Sequence, residues 1–192
     1  MSITLTAVLF AGGLSRRMGM DKATLPTGEG PLWARQIGVL NKLNPAALWC
    51  SARSRPEWLP LEMEVVLDEP PSRGPLSGLT AVLEVVGTSH LLALAVDMPR
   101  MTTDHLAKLR MLASPGRGVI PLIGDQFEPL CAVYPVEVAE MARSALSAGH
   151  YSMQRLVGTL EGRKLLHRYP VLTEEMVLYH NANTPGDLEG GC

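Results

Sequence analysis

An open, doubly wound α/β sheet, mostly parallel and with an antiparallel element in the C-terminal half, is the fold this sequence predicts. Three observations carry that expectation. Short apolar runs lack the alternation of half-exposed strands, stretches of helical spacing lie between them, and two strand-like runs flank a polar break late in the chain. At 192 residues the chain is long enough for one domain with a substantial core, so residues 1–192 are read as a single domain.

The runs Ile3 to Phe10, Ala46 to Cys50, Glu64 to Leu67 and Leu91 to Val96 are nearly continuous in apolar residues, as strands covered on both faces require. Between them, Leu32, Ile37, Leu40 and Leu43 share a helical spacing. Leu76, Leu79, Val82, Leu83 and Val86 do the same, as do Leu106, Leu109 and Leu112. Alternation of strand and helix implies right-handed crossovers and a parallel sheet. Gly118 to Ile123 and Leu130 to Tyr134 are separated by Gly124-Asp125-Gln126, which positions them to pair antiparallel. Helices are expected from about Val136 to Ser147 and from Tyr151 to Leu160. A last apolar run, Met176 to Tyr179, precedes a polar tail that should deliver side chains to a site.

Composition narrows the function classes. The hydrophobic fraction of 46% and charged fraction of 19% suit a folded globular chain. With 17 basic and 19 acidic residues the net charge is only −2, so no overall field favours nucleic acid or an anionic membrane. Apolar stretches such as Leu91 to Val96 fall far short of the roughly 20 residues that cross a bilayer. Met1 to Thr4 lacks the basic start of a secretory signal, and a cytoplasmic location is expected. Cys50, Cys131 and Cys192 are widely separated and odd in number. They suit neither a disulfide framework nor a zinc site, and packing is the expected role of the first two. The five histidines, His90, His105, His150, His167 and His180, fit no metal-ligand spacing.

Ligands in open α/β sheets bind at the carboxyl ends of strands, which directs attention to the loops after Phe10, Cys50, Leu67 and Val96. The first loop places three glycines (Gly12, Gly13, Gly19) and three cations (Arg16, Arg17, Lys22) directly after a buried strand. Glycines let backbone amides approach an anion, and Arg17 and Lys22 can neutralise phosphate. The loop is neither a Walker loop nor a dinucleotide fingerprint, and by composition alone a solvated basic turn remains open. Asp97 ends the run Leu94-Ala95-Val96 and is followed by Met98-Pro99, where it could hold a hard cation such as Mg²⁺ or be a helix N-cap or turn aspartate. Asp68 follows the third strand and precedes the turn Ser72-Arg73-Gly74-Pro75-Leu76-Ser77-Gly78. Contact with a base or ribose and a solvated turn acid are both open there. No Gly-x-Ser-x-Gly elbow supports a serine hydrolase.

The run from Leu9 to Lys22 resembles the signature Leu-x-Gly-Gly-x-Ser-x-Arg-Met-Gly-x-Asp-Lys of the nucleotidyltransferases that act on molybdenum cofactor. Ala11-Gly12-Gly13, Ser15, Arg17-Met18-Gly19 and Asp21-Lys22 all match. Gly74-Pro75-Leu76-Ser77-Gly78, Asp97 with Pro99, and Asn181-Ala182-Asn183-Thr184-Pro185-Gly186-Asp187-Leu188 extend the resemblance over nearly the whole chain. The closing asparagine motif and the length are most similar to the molybdenum cofactor guanylyltransferase family. That resemblance implies a Rossmann-like nucleotidyltransferase fold and transfer of GMP from GTP to the terminal phosphate of molybdopterin, with release of pyrophosphate. It implies that Ala11, Gly12, Gly13 and Lys22 hold the GTP phosphates, that Asp68 binds the nucleotide and that Asp97 holds Mg²⁺. Arg17 and Lys22 would stabilise phosphate charge, and Asn181 and Asn183 would lie near the pterin. Partners beyond GTP and molybdopterin would be a molybdoenzyme or a maturation factor. One position departs: alignment puts Cys50 where the family commonly has an asparagine contacting the nucleotide, and a thiol cannot replace both amide functions. Rival readings are a cytidylyltransferase on the same pterin, a nucleotidyltransferase on a sugar or alcohol phosphate, and a non-catalytic homologue that binds nucleotide or pterin.

Overall fold

Leu5–Phe10 is buried at all six positions, which requires a strand covered on both faces by other elements. The computed structural model describes residues 3–12, 21–28, 30–68, 72–182 and 187. In chain order the elements begin with β1 (Leu5–Phe10), β2 (Pro26–Thr27), β3 (Gly30–Pro31), α1 (Leu32–Asn41), β4 (Ala47–Ala52) and β5 (Glu64–Leu67). They continue with α2 (Pro75–Val85), β6 (His90–Ala95), α3 (Thr103–Leu112), β7 (Gly118–Ile123), β8 (Gln126–Phe127), β9 (Cys131–Pro135), α4 (Ala139–Ser147), α5 (Met153–Gly162) and β10 (Leu166–Pro170). Short 3-10 helices span Lys22–Thr24, Val136–Val138 and Thr173–Tyr179.

The main sheet runs β10-β7-β9-β6-β1-β4-β5, with β8 folded back onto β7. Strands β6, β1, β4 and β5 pair in parallel, β10 is parallel to β7, and β9 is antiparallel to both β6 and β7. The expected doubly wound, mostly parallel sheet is therefore present, and its antiparallel element lies in the C-terminal half.

The period-2 alternation of β1 divides the core. Leu5, Ala7 and Leu9 join Leu40 of α1 and Leu106 and Leu109 of α3 on one face. Val8 and Phe10 join Leu76, Leu79 and Val82 of α2 and Leu156, Val157 and Leu160 of α5 on the other. The predicted stripes are buried at Leu32 and Leu40 of α1, at Leu76, Leu79, Val82 and Leu83 of α2 and at Leu106 and Leu109 of α3, whereas Leu112, at the end of α3, is exposed. Among the described residues every buried side-chain nitrogen and oxygen has a hydrogen-bond partner. His90, fully buried, shares hydrogen bonds with the Ser89 hydroxyl at 3.0 Å and the Ser114 carbonyl at 3.1 Å. No helix among the described residues is long and apolar enough to cross a membrane.

Several boundaries differ from the sequence reading for local reasons. The helix expected from Val136 opens as a 3-10 turn and becomes α-helical only at Ala139. Helix α5 starts at Met153 because Ser152 caps it, accepting from the Arg155 amide at 3.3 Å. Gln126, read as part of the polar break, pairs with Ile123 in the β7–β8 hairpin, turned by Gly124 at φ 59°. Strand β10 has the pattern buried, exposed, exposed, buried, exposed, with only Leu166 and Tyr169 turned inward, so it carried no apolar run.

One glycine fixes the antiparallel insertion. A Cβ on Gly118 would lie 2.0 Å from the Val133 carbonyl oxygen and 2.8 Å from the Pro135 Cδ, so β7 and β9 meet this closely only across a hydrogen atom. Gly118→Ala is expected to cost about 2 to 3 kcal/mol by overpacking. Urea denaturation should show a lower midpoint at an unchanged slope, and an unaltered midpoint would refute the close approach.

Candidate functional site

The carboxyl ends of β6, β1, β4 and β5 open onto a cleft of about 350 Å³, a size suited to a small ligand. Its described lining includes Ala11, Gly12, Lys22, Ser51, Arg53, Asp68, Gly78 and Asp97. Five sequence-derived candidates, Ala11, Gly12, Lys22, Asp68 and Asp97, therefore share one cavity. Gly13, Arg17 and Asn183 lie outside the described residues, as does Cys192.

Asp97 is carried by a turn fixed from several directions. The Val96 amide donates to the Phe10 carbonyl at 3.0 Å, the Ala95 amide to the Leu130 carbonyl at 2.7 Å, and the Ala182 amide to the Asp97 carbonyl at 2.8 Å. From below, the Gln36 Nε2 donates to the Met98 carbonyl at 2.7 Å. Burial raises the Asp97 carboxyl pKa, the Lys22 charge pulls it down, and its own backbone hydrogen bond opposes the rise as well. Lys22 Nζ stands 4.0 Å from Asp97 Oδ2, too far for a hydrogen bond yet close enough to share an anionic ligand or a metal-bound one. The cap reading of Asp97 does not hold: helix α3 is capped by Thr102, whose hydroxyl accepts from the His105 amide at 3.3 Å.

Lys22 is aimed by its neighbour. Asp21 caps the 3-10 turn Lys22–Thr24 by accepting from the Ala23 amide at 3.0 Å, and its other oxygen accepts from Trp58 Nε1 at 2.7 Å. Trp58 stacks on Trp33 with ring centroids 5.4 Å apart. Gly12 lines the cleft, and a Cβ there would meet no described atom within 4 Å.

The other end of the cleft is built around Asp68. Its Oδ2 accepts from the Ser72 hydroxyl at 2.8 Å, and its amide continues the ladder to the Ala52 carbonyl at 3.1 Å. A Cβ on Gly78 would lie 2.8 Å from Ser51 Oγ and 2.9 Å from Asp68 Oδ1, so only glycine lets α2 pack against both. Gly74, at φ 90°, and Pro75 at the first helical position start α2 beside this pair.

Cys50, aligned with the family's asparagine, is not among the cleft-lining residues. Strand β4 runs on to Ala52, and alternation turns Cys50 away from the cleft into a pocket of Ala52, Leu59, Trp58 and Val65. Burial pushes its thiol up to about 12, with Arg55 lowering and Asp21 raising it. Cys131 is likewise buried in the core, so both thiols pack as expected. The cleft-facing residues at this strand end are Ser51 and Arg53.

Sequence reasoning also missed Gln36 and Glu128. Gln36 is fully buried between Leu32 and Leu40, and the detectable signal was a polar residue inside a helical apolar stripe. Glu128 has its pKa raised, by burial first and then by the charge of Asp97, which puts a second carboxyl on the Asp97 side.

The segment carrying Asn181 is held by a polar cluster. Glu175 accepts from Lys108 Nζ at 2.8 Å, from the Tyr169 hydroxyl at 2.7 and 2.6 Å, and from the Leu172 amide at 3.1 Å. The Tyr179 hydroxyl lies 2.6 Å from His105 Nε2. Burial alone would raise the Glu175 pKa, but the donors from Lys108, Tyr169 and Leu172 and the nearby His105 hold it at about 2. Its stabilising contribution is fully present above its ordinary value of 4.5 and is lost as pH falls towards 2. Glu175→Gln should therefore melt below the wild type at pH 7, and the gap should narrow between pH 4.5 and 2. A gap independent of pH would refute the charge-based clasp.

A family model described as "MobA-like NTP transferase domain" matches residues 7–166. A probable molybdenum cofactor guanylyltransferase from Opitutus terrae is 34% identical over 188 residues, covering 96% of this chain and 93% of that protein. A molybdenum cofactor guanylyltransferase from Syntrophotalea carbinolica is 30% identical, covering 96% and 89%. Among solved structures, molybdopterin-guanine dinucleotide biosynthesis protein A from Archaeoglobus fulgidus superposes with a TM-score of 0.69 at 25% identity, over 96% of this chain and 95% of that one. A 2-C-methyl-D-erythritol 4-phosphate cytidylyltransferase from Thermus thermophilus shares the fold, with a TM-score of 0.67 at 14% identity over 98% and 96% of the two chains.

Proposed function

Since the chain belongs to the MobA-like NTP transferase family, we propose that it transfers GMP from GTP to the terminal phosphate of molybdopterin, releasing pyrophosphate and forming the guanine dinucleotide cofactor. The observation that carries this reading is the meeting of Lys22, Asp97 and the backbone at Gly12 in one cleft. It occurs in a chain matched over 96% of its length by guanylyltransferases. A cytoplasmic site of action belongs to the same proposal.

An oxygen of the acceptor phosphate attacks the α-phosphorus in line, and the bond from that phosphorus to the β-phosphate oxygen breaks. The acceptor oxygen is already ionised, so no strong general base is required. Transfers of this type are accelerated by positioning and by stabilising charge on the phosphates. Gly12 and Gly13 would hold the phosphates through backbone amides beside Ala11, whose own amide is held by the Ser51 carbonyl at 2.9 Å, with Lys22 and Arg17 neutralising charge. Asp68 would accept hydrogen bonds at the nucleoside end, and Asn181 and Asn183 would lie near the pterin.

Asp97 would hold Mg²⁺. The residues fit: its half-buried carboxylate bears a desolvation penalty that a bound cation relieves, and Glu128 adds negative charge nearby. Among the described residues no three His, Cys, Asp or Glu side chains converge on a metal position. Mg²⁺ needs only one or two carboxylates when phosphates and water complete its shell. When bound, the ion supplies Lewis acidity and charge neutralisation at the phosphate oxygens.

Calorimetric titration with GTP and CTP, each with and without Mg²⁺, tests the reading directly. Mg²⁺-dependent binding that favours GTP is expected; a preference for CTP would move the protein to cytidylyl transfer, and no binding of either would refute transfer. Asp97→Asn should leave the melting temperature near wild type while lowering turnover on the order of 100-fold or more. Lys22→Ala should raise KM for GTP and slow turnover together, and wild-type values for both would remove Lys22 from the phosphate site.

A further inference from the structure

Resting on the guanylyltransferase reading, the cleft allows one more assignment: we infer that Arg53 selects the base, its guanidinium donating two hydrogen bonds to the O6 and N7 acceptors of guanine.

The order of strands lays the cleft out as a line. The carboxyl ends of β6, β1, β4 and β5 deliver Asp97, then Ala11 and Gly12, then Ser51 and Arg53, then Asp68. Three inter-strand spacings, about 14 Å, separate the first from the last. Charge sorts the two ends. Lys22 stands beside Asp97 and Gly12, which suits phosphates. Asp68 is held in place by the Ser72 hydroxyl, repels phosphate and accepts from N–H and O–H donors, so the nucleoside belongs at the β4–β5 end.

At that end Arg53 is the described cationic side chain with a free guanidinium. It is exposed, lines the cleft, and among the described residues has no hydrogen bond or ion pair. Its neighbours in sequence and space are committed elsewhere. Arg55 donates to the carbonyls of Pro60, Leu61 and Met63, and Arg73 lies 5.5 Å from the centre of the Tyr151 ring. Cys50, one pleat deeper in β4, points into the core.

A guanidinium presents parallel N–H groups in a fixed plane and stays charged at any working pH. Guanine matches it with two adjacent acceptors on one edge, whereas adenine puts an amino donor beside N7. The base can stack open to solvent and still be read on that edge, which suits a long side chain at the cleft's outer wall. A monodentate lysine would deliver charge but not the two-point match.

The test is titration of GTP, 7-deaza-GTP and ATP, all with Mg²⁺, into the wild type, Arg53→Ala and Arg53→Lys. The wild type should prefer GTP over ATP by on the order of 10- to 100-fold, and over 7-deaza-GTP, which lacks the N7 acceptor, by about 10-fold. Arg53→Ala should bind GTP and 7-deaza-GTP alike with an unchanged melting temperature, and Arg53→Lys should not restore the discrimination. Survival of the N7 preference in Arg53→Ala would overturn the assignment. So would an equal loss of affinity for all three nucleotides, which would make Arg53 a phosphate contact. A wild type that binds GTP without any N7 preference overturns only the role of Arg53; a wild type that binds no GTP removes the guanylyltransferase reading along with it.

Discussion

The turn from Ala95 to Met98 is the constraint on which the site depends. Four parts of the chain that are distant in sequence converge on it through hydrogen bonds: Phe10 at the end of β1, Leu130 before β9, Gln36 of α1, which donates to both the Ala95 and Met98 carbonyls, and Ala182 of the closing tail. Each joins a buried or half-buried backbone group, and leaving such a group unpaired costs about 1 to 3 kcal/mol. The turn can therefore keep its shape while carrying a carboxylate whose charge is penalised by burial. A looser turn would let Asp97 swing towards solvent, and the 4.0 Å relation to Lys22 would be lost with it.

The tail shows how stability and site geometry are joined. Glu175 gathers Lys108 of α3, Tyr169 of β10 and the Leu172 amide, while Tyr179 meets His105 four residues on. His105 is edge-on to both tyrosine rings, at 5.9 and 5.3 Å between centroids. This cluster lies away from the cleft, yet it fixes the path along which Ala182 reaches the Asp97 carbonyl. The backbone at Ala182 thus reaches the Asp97 turn from a 3-10 turn that is itself anchored.

Much of this was legible in the sequence. Strands β1 and β6 are continuous apolar runs because both faces are covered, β4 is half-buried at its start and the edge strand β5 is exposed at both ends, and α1, α2 and α3 show most of their buried stripes as spacing. Asp97 and Asp68 were identifiable as acids just beyond strand ends, where α/β sheets gather ligands. What escaped was set by tertiary context. Gln36 interrupts the apolar stripe of α1, and only the fold reveals the Met98 carbonyl that it meets. Strand β10 turns only Leu166 and Tyr169 inward, so its pairing with β7 has no local signature. The β4 end was misjudged by a pleat: alternation decides whether Cys50 or Ser51 faces the cleft, and an apolar run without polar alternation does not reveal its phase.

The same phase decides what kind of chemistry the cleft supports. With Cys50 turned inward and its thiol pushed up to about 12, and Cys131 sealed in the core, neither described cysteine supplies a thiolate. What faces the cavity is a set of fixed charges and hydrogen-bonding groups: Lys22 and Asp97 at one end, Ser51, Arg53 and Asp68 at the other, with backbone between. Such a site stabilises charge where it develops. Direct displacement between two bound phosphates demands no more than that. The chain accordingly invests its buried polar groups in holding loops still, Gln36 and the Phe10, Leu130 and Ala182 backbone groups fixing the turn that carries Asp97.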